Sequence, residues 1–134
     1  MVATDGSELV KRAVDLAIEI AKLSEAKLYA VYVIDMESHN SKNHPGAEGK
    51  EATAYVENIG RVANVEVESI ILEGNPANEI VDFAEKNDID LIVMGTQGKT
   101  GIQRFLIGSV AENVVRNSKK IVLVVKGETI EKGE

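Results

Sequence analysis

Apolar positions along the chain switch repeatedly between two periods. Met1 to Thr4 is a short apolar run closed by the polar turn Asp5-Gly6-Ser7. From Glu8 to Leu23, apolar residues recur at Leu9, Ala13, Leu16, Ala17, Ile20 and Ala21, the spacing of one helix face, with Ser7 placed to cap it. Lys27 to Ile34 (KLYAVYVI) is β-branched and aromatic and predicts a strand. Asp35 to Lys50 has no period and is rich in Ser, Asn, Gly and charge, so it is expected to be a loop. Glu51 to Ala63 predicts a short helix with a weak point at Gly60, and Val65 to Leu72 a strand. Gly74-Asn75-Pro76 breaks the chain, and Pro76 suits the first turn of a helix reaching about Asn87. Asp90 to Met94 and Ile121 to Val125 are short apolar strands on either side of a helix from Ser109 to Asn117.

Strands and helices therefore alternate. That order predicts an α/β fold: a doubly wound five-stranded parallel sheet, order 3-2-1-4-5, with helices on both faces. The apolar runs DLIVM and IVLVV fit strands covered on both sides. A length of 134 residues suits one domain, residues 1–134, with the tail from Gly127 frayed. An apolar strand at a sheet edge invites pairing, so Ile121–Val125 is expected to meet its copy across a two-fold axis in a homodimer.

Composition removes several classes of function. Net charge is −7 and the isoelectric point about 4.9, which disfavours nucleic acid as a partner. Only 4% of residues are aromatic, too few for a stacking platform. The absence of cysteine excludes disulfides, zinc–thiolate sites and thiol catalysis. No apolar run approaches the length of a membrane span, and residues 1–20 do not read as a signal peptide, so the expected location is the cytoplasm.

The candidate chemistry lies in Gly95 to Val110, GTQGKTGIQRFLIGSV. Gly98-Lys99-Thr100 resembles the end of a P-loop, but the required earlier glycine is replaced by Val93. A different phosphate cradle fits better. In a doubly wound sheet, ligands bind beyond the strand ends where strand order reverses. Thr4-Asp5-Gly6-Ser7 and Gly95–Gly98 leave two such ends. Gly108-Ser109 opens the last helix, whose N-terminal N–H groups attract anions. Glycines let a phosphate approach the backbone, the Ser109 hydroxyl can donate to it, and Asp5 can accept from a ribose hydroxyl or adenine amine. Lys99 can neutralise phosphate charge, whereas Arg104 reads as a solvated cation. His39 and His44 lie with Glu37 and Glu48 in a segment that would lose much entropy on ordering, so no metal site is assigned there. No Ser/His/Asp set is apparent and no catalytic residue is assigned.

The spacing Gly95-x2-Gly98-x9-Gly108-Ser109 resembles the signature of the universal stress protein family. Thr4-Asp5-Gly6-Ser7, Val33-Ile34-Asp35 and the closing Val122–Val125 are similar to that family as well, so the likeness spans nearly the whole chain. The resemblance implies a dimeric domain that binds ATP with Mg²⁺ or Mn²⁺. By position, Asp5 would lie near the adenosine and Val33 would hold adenine through its backbone. Gly95, Gly98, Gly108 and Ser109 would hold ribose and phosphates, with contributions from Thr96, Gln97 and Lys99. Gln97 stands where many members carry His. The expected function is an ATP-binding stress-response module; the alternatives are a slow ATPase and a nucleotide-independent interaction domain.

Overall fold

A computed structural model describes residues 1–36, 45–96 and 107–127, except for the side chain of Pro45. The strands are β1 (Val2–Ala3), β2 (Leu28–Asp35), β3 (Val67–Gly74), β4 (Leu91–Gly95) and β5 (Ile121–Val125); the helices are α1 (Lys11–Ser24), α2 (Pro45–Ala63), α3 (Pro76–Lys86) and α4 (Ser109–Asn117). A 3₁₀ turn, Glu8–Val10, leads into α1. The five strands form one parallel sheet in the order β3-β2-β1-β4-β5, as the alternation of elements predicts.

Two apolar layers follow from this winding. On one face, Val14, Ala17 and Ile18 of α1 and Val56 of α2 pack on Val2, Ala30 and Val93. On the other, Ile80 and Ala84 of α3 and Ala111 and Val114 of α4 pack on Val31, Ile92 and Met94. β4 is buried on both sides, as its continuous apolar sequence requires. β5 is at an open edge, where its first residue, Ile121, is 70% exposed. Among the described residues, no helix is long and apolar enough to cross a membrane.

The helix ends have local causes. Asn75 caps α3 by accepting from Asn78 N–H at 3.0 Å, with Pro76 at the first position, where its missing N–H costs nothing. α1 ends where Glu25 takes φ 54° and Ala26 N–H reaches back to Ala21 O. α2 ends in the same way, with Asn64 at φ 62° and Val65 N–H donating to Gly60 O.

Three expectations are corrected. α2 begins at Pro45, so residues 45–50 of the predicted 35–50 loop are helix. Gly60 does not interrupt α2; a Cβ there would run into Val67 Cγ2 and lie 3.0 Å from Val65 O, so glycine is what lets the helix sit down on β3. Ser7 precedes the 3₁₀ turn, but its hydroxyl makes no capping bond.

β1 is short, and its pairing with β4 starts at the first residue. The Met1 α-amino group donates to Leu91 O at 2.8 Å and Val93 N–H donates to Met1 O at 2.8 Å. Burial lowers the pKa of that amine from 8.0 to about 6, partly countered by Asp90.

Two predictions follow from this packing. Gly60→Ala will destabilise the fold by about 1–3 kcal/mol in urea unfolding, although alanine is the better helix former. Where the Met1 amine is free, the unfolded chain binds its proton more tightly than the folded one. Stability will therefore rise as pH passes from about 6 to 8. The gain is at most about 3 kcal/mol, and acetylating the amine removes that part of the pH profile.

Candidate functional site

The reversal of strand order falls between β1 and β4, since β2 and β3 extend the sheet one way and β5 the other. β1 pairs with β4 through Val2 and Val93, and with β2 through Ala3 and Val31. Carried two residues further, these registers set Thr4 level with Gly95 and Asp5 level with Val33.

Side chains hold the exit of β1 as a tight turn. Thr4 N–H donates to Val31 O at 2.9 Å, the last ladder bond between β1 and β2 among the described residues. The buried Thr4 Oγ1 then accepts from Gly6 N–H at 3.1 Å, and Asp5 Oδ1 accepts from Ser7 N–H at 3.0 Å. Gly6 has φ +79°, a conformation that favours glycine. Both short polar side chains thus bend their own backbone away from the sheet.

That bend leaves main-chain groups of β2 without a strand neighbour. Successive residues of a strand direct their N–H and C=O to opposite sides. Val31 faces β1, because its carbonyl accepts from Thr4. Val33, two residues on, therefore aims a donor and an acceptor at the space that β1 vacates at Asp5. Its side chain packs against the core under α3 and α4.

On the other side of the switch point, Thr96 N–H donates to Val125 O at 3.0 Å, prolonging β4 by one residue. Gly108 N–H donates to Thr96 O. Two residues of the glycine-rich segment, twelve apart in sequence, are thereby joined. Gly108 is the N-cap of α4 and makes no side-chain capping bond; the first helical bond runs from Glu112 N–H to Gly108 O. The preceding N–H groups of Ser109, Val110 and Ala111 have no helical partner, as at any helix start. Ser109 occupies the first helical position, with its residue exposed, so its hydroxyl is not the cap. Gly108 has φ −65° and ψ 162°, angles open to any residue. Glycine there is not required by the backbone conformation.

The structure thus brings together Asp5, Val33, Gly95, Thr96, Gly108 and Ser109 at one end of the sheet. Gln97, Gly98, Lys99 and Arg104 lie outside the described residues, as do Glu37, His39 and His44. Glu48 lies on α2, where Tyr32 Oη donates to its Oε1 at 3.4 Å. Among the described residues, no group of three His, Asp or Glu is placed to hold a metal ion. Sequence reasoning did not single out Thr4, whose role was legible in its spacing of two from Gly6. Nor did it find Ala52 of α2, whose Cβ lies 3.2 Å from where a Gly6 Cβ would be; no local pattern announces that contact.

Comparison with known proteins agrees with this fold. The model of the universal stress protein family matches residues 1–126. The universal stress protein MJ0531 of Methanocaldococcus jannaschii is 45% identical over 136 residues, covering 94% of this chain and 80% of the relative. A solved universal stress protein in complex with cAMP is 33% identical, with a TM-score of 0.76 over 95% of this chain and 94% of its own. A universal stress protein from Archaeoglobus fulgidus, solved in complex with dAMP, is 30% identical, with a TM-score of 0.76 over 93% of this chain and 94% of its own. With the match running through both arms of the site and nearly the whole sheet, the chain belongs to the universal stress protein family.

Proposed function

We propose that this protein binds an adenine nucleotide, ATP with Mg²⁺ or Mn²⁺, between Asp5 and the Gly95–Ser109 arm, and acts as a homodimeric regulatory module. The observation that carries the reading is the bond from Gly108 N–H to Thr96 O, which sets an α4 N-terminus without a side-chain cap beside the exit of β4. Backbone N–H groups and the helix dipole suit phosphate at that place. Across the switch point, the Val33 main chain offers a donor and an acceptor on one side, matching the acceptor N1 and donor N6 of adenine. Asp5 accepts from the ribose or the adenine amine. The adenylates bound by the two solved relatives, cAMP and dAMP, support the same class of ligand.

In this reading Gly95, Gly98, Gly108 and Ser109 would hold ribose and phosphates, with contributions from Thr96, Gln97 and Lys99; Gln97, Gly98 and Lys99 lie outside the described residues. The residues described around the site supply no ready set of metal ligands, so the divalent cation enters with the phosphates. Hydrolysis would need a group that orients water beside the γ-phosphate. Asp5 is the carboxylate at hand, and its Oδ1 already accepts from Ser7 N–H. A binding module is therefore favoured over an ATPase. The dimer rests on the open β5 edge and its exposed Ile121.

Gly108→Val tests the cradle, because its backbone angles tolerate valine while the side chain occupies the phosphate position. Calorimetry with ATP and Mg²⁺ will show at least about a hundredfold weaker binding for this variant, with thermal unfolding close to that of the wild type. Wild-type protein that binds no adenylate overturns the reading. Ile121→Lys places a charge on the β5 edge, and sedimentation will show a monomer at concentrations where the wild type is a dimer; unchanged sedimentation moves the interface elsewhere.

A further inference from the structure

The first two turns of α2 stand against the turn that carries Asp5, yet little in their own sequence holds them helical. Residues 45–49 read Pro-Gly-Ala-Glu-Gly, and glycine is about 1 kcal/mol less favourable than alanine in a helix. Their docking surface is made of small groups. Gly49, Ala52 and Thr53 are buried, while Ala47, Glu48, Lys50 and Glu51 are exposed. Gly49 lies so close to β2 and β3 that a Cβ would be 2.9 Å from Tyr32 Cδ1 and 3.2 Å from Ile71 Cδ1. The Thr53 hydroxyl turns back to Gly49 O at 3.0 Å, a bond that favours neither helix nor coil strongly. Ala52 packs in a small cluster with Tyr32, Ile34 and Ile71, whereas the second half of α2 packs Val56, Tyr55 and Ile59 into the larger main core. Segments with few buried apolar groups open locally at low free energy.

The same segment touches the site. Ala52 Cβ is 3.2 Å from the position of a Gly6 Cβ, and Ala52 Cα is 3.9 Å from it. Gly6 is the middle of the turn fixed by Thr4 Oγ1 and Asp5 Oδ1. The Ser7 hydroxyl in this turn is buried and unpartnered among the described residues, so side-chain bonding leaves the turn incompletely held.

We infer that residues 45–53 of α2 form their helix in step with nucleotide binding at the Asp5 turn, so that this end of α2 reports whether the site is occupied. The inference rests on the nucleotide reading above and adds the element that responds. A nucleotide held by Asp5 stiffens a turn that Thr4 and Asp5 already bend, the stiffer turn gives Ala52 a firmer surface to dock on, and the small-residue half of α2 is secured around that contact. Linkage makes the effect reciprocal: whatever favours the helix also favours the nucleotide.

Hydrogen exchange with and without saturating ATP and Mg²⁺ tests this, with binding measured by calorimetry on the same samples. Amides of residues 49–53 will change from rapid local exchange without nucleotide to exchange at least about tenfold slower with it, approaching the protection of 56–63, which are already protected in the free protein. Bound nucleotide with unchanged exchange at 49–53 overturns the inference and leaves the nucleotide reading standing. Absence of binding in calorimetry overturns both. Gly46→Ala supplies the reciprocal test, since a Cβ at Gly46 meets nothing within 4 Å. Removing that backbone freedom is worth about a two- to fivefold gain in ATP affinity if the helix forms with binding. Unchanged affinity means the helix is already complete without ligand, and the inference fails.

Discussion

The sheet depends on the hydrogen bonds that β1, only Val2–Ala3 by its own span, makes to both neighbours. One side of the molecule, β2 and β3 with α2, and the other, β4 and β5 with α4, meet across this strand. Its side chains are accordingly inside: Met1 and Val2 are buried, on opposite faces. A longer β1 would continue pairing with Val33 and close the gap beside it. Because Thr4 and Asp5 take up the N–H groups of Gly6 and Ser7, the strand stops where it does. The end of β1 pairing at the switch point is therefore a consequence of how two small polar side chains end one strand.

Much of this was legible in the sequence, for identifiable reasons. The bounds of α4 and β5 agree because Gly108 and the apolar run from Ile121 mark them sharply. The entrance of α3 agrees because Asn75-Pro76 is both a cap and a first turn. The first turns of α2 were not legible, since a Gly- and charge-rich segment has no helical period of its own; Tyr32 and Ile71 hold it from another part of the chain. Gly60 looked like a weak helix position for the same reason. Its cause is the closeness of Val67, which no window around Gly60 contains. The site divides likewise. Asp5 and the glycine spacing were visible as residues, whereas Val33 has only a backbone to offer. Its orientation emerges from the strand pairing and not from its identity as valine.

Charge clarifies the kind of recognition involved. A chain of net charge −7 is a poor general anion binder, and the described cations near the β1 exit are engaged locally. Lys11 pairs with Glu8 at 2.8 Å, and Arg12 donates to Lys126 O at 3.3 Å. The α4 N-terminus offers a phosphate main-chain dipoles that need no net positive charge. Such a site discriminates by shape and by the direction of N–H groups. Bulk polyanions, attracted by charge density, would still be repelled by the acidic surface.

Recognition by main chain also ties the ligand to the fold. The groups proposed to hold the nucleotide exist as a site only while β1, β2, β4 and α4 are in register, and an unfolded chain presents none of them together. A ligand that binds only the native state adds its binding free energy to stability, growing with the logarithm of its concentration above the dissociation constant. If the nucleotide binds as proposed, that added stability would fall first on the element beside the site with the smallest packing groups, the first half of α2 against Gly6. Nucleotide concentration would then be read as a local degree of helix formation on the surface, with the strands beneath unchanged.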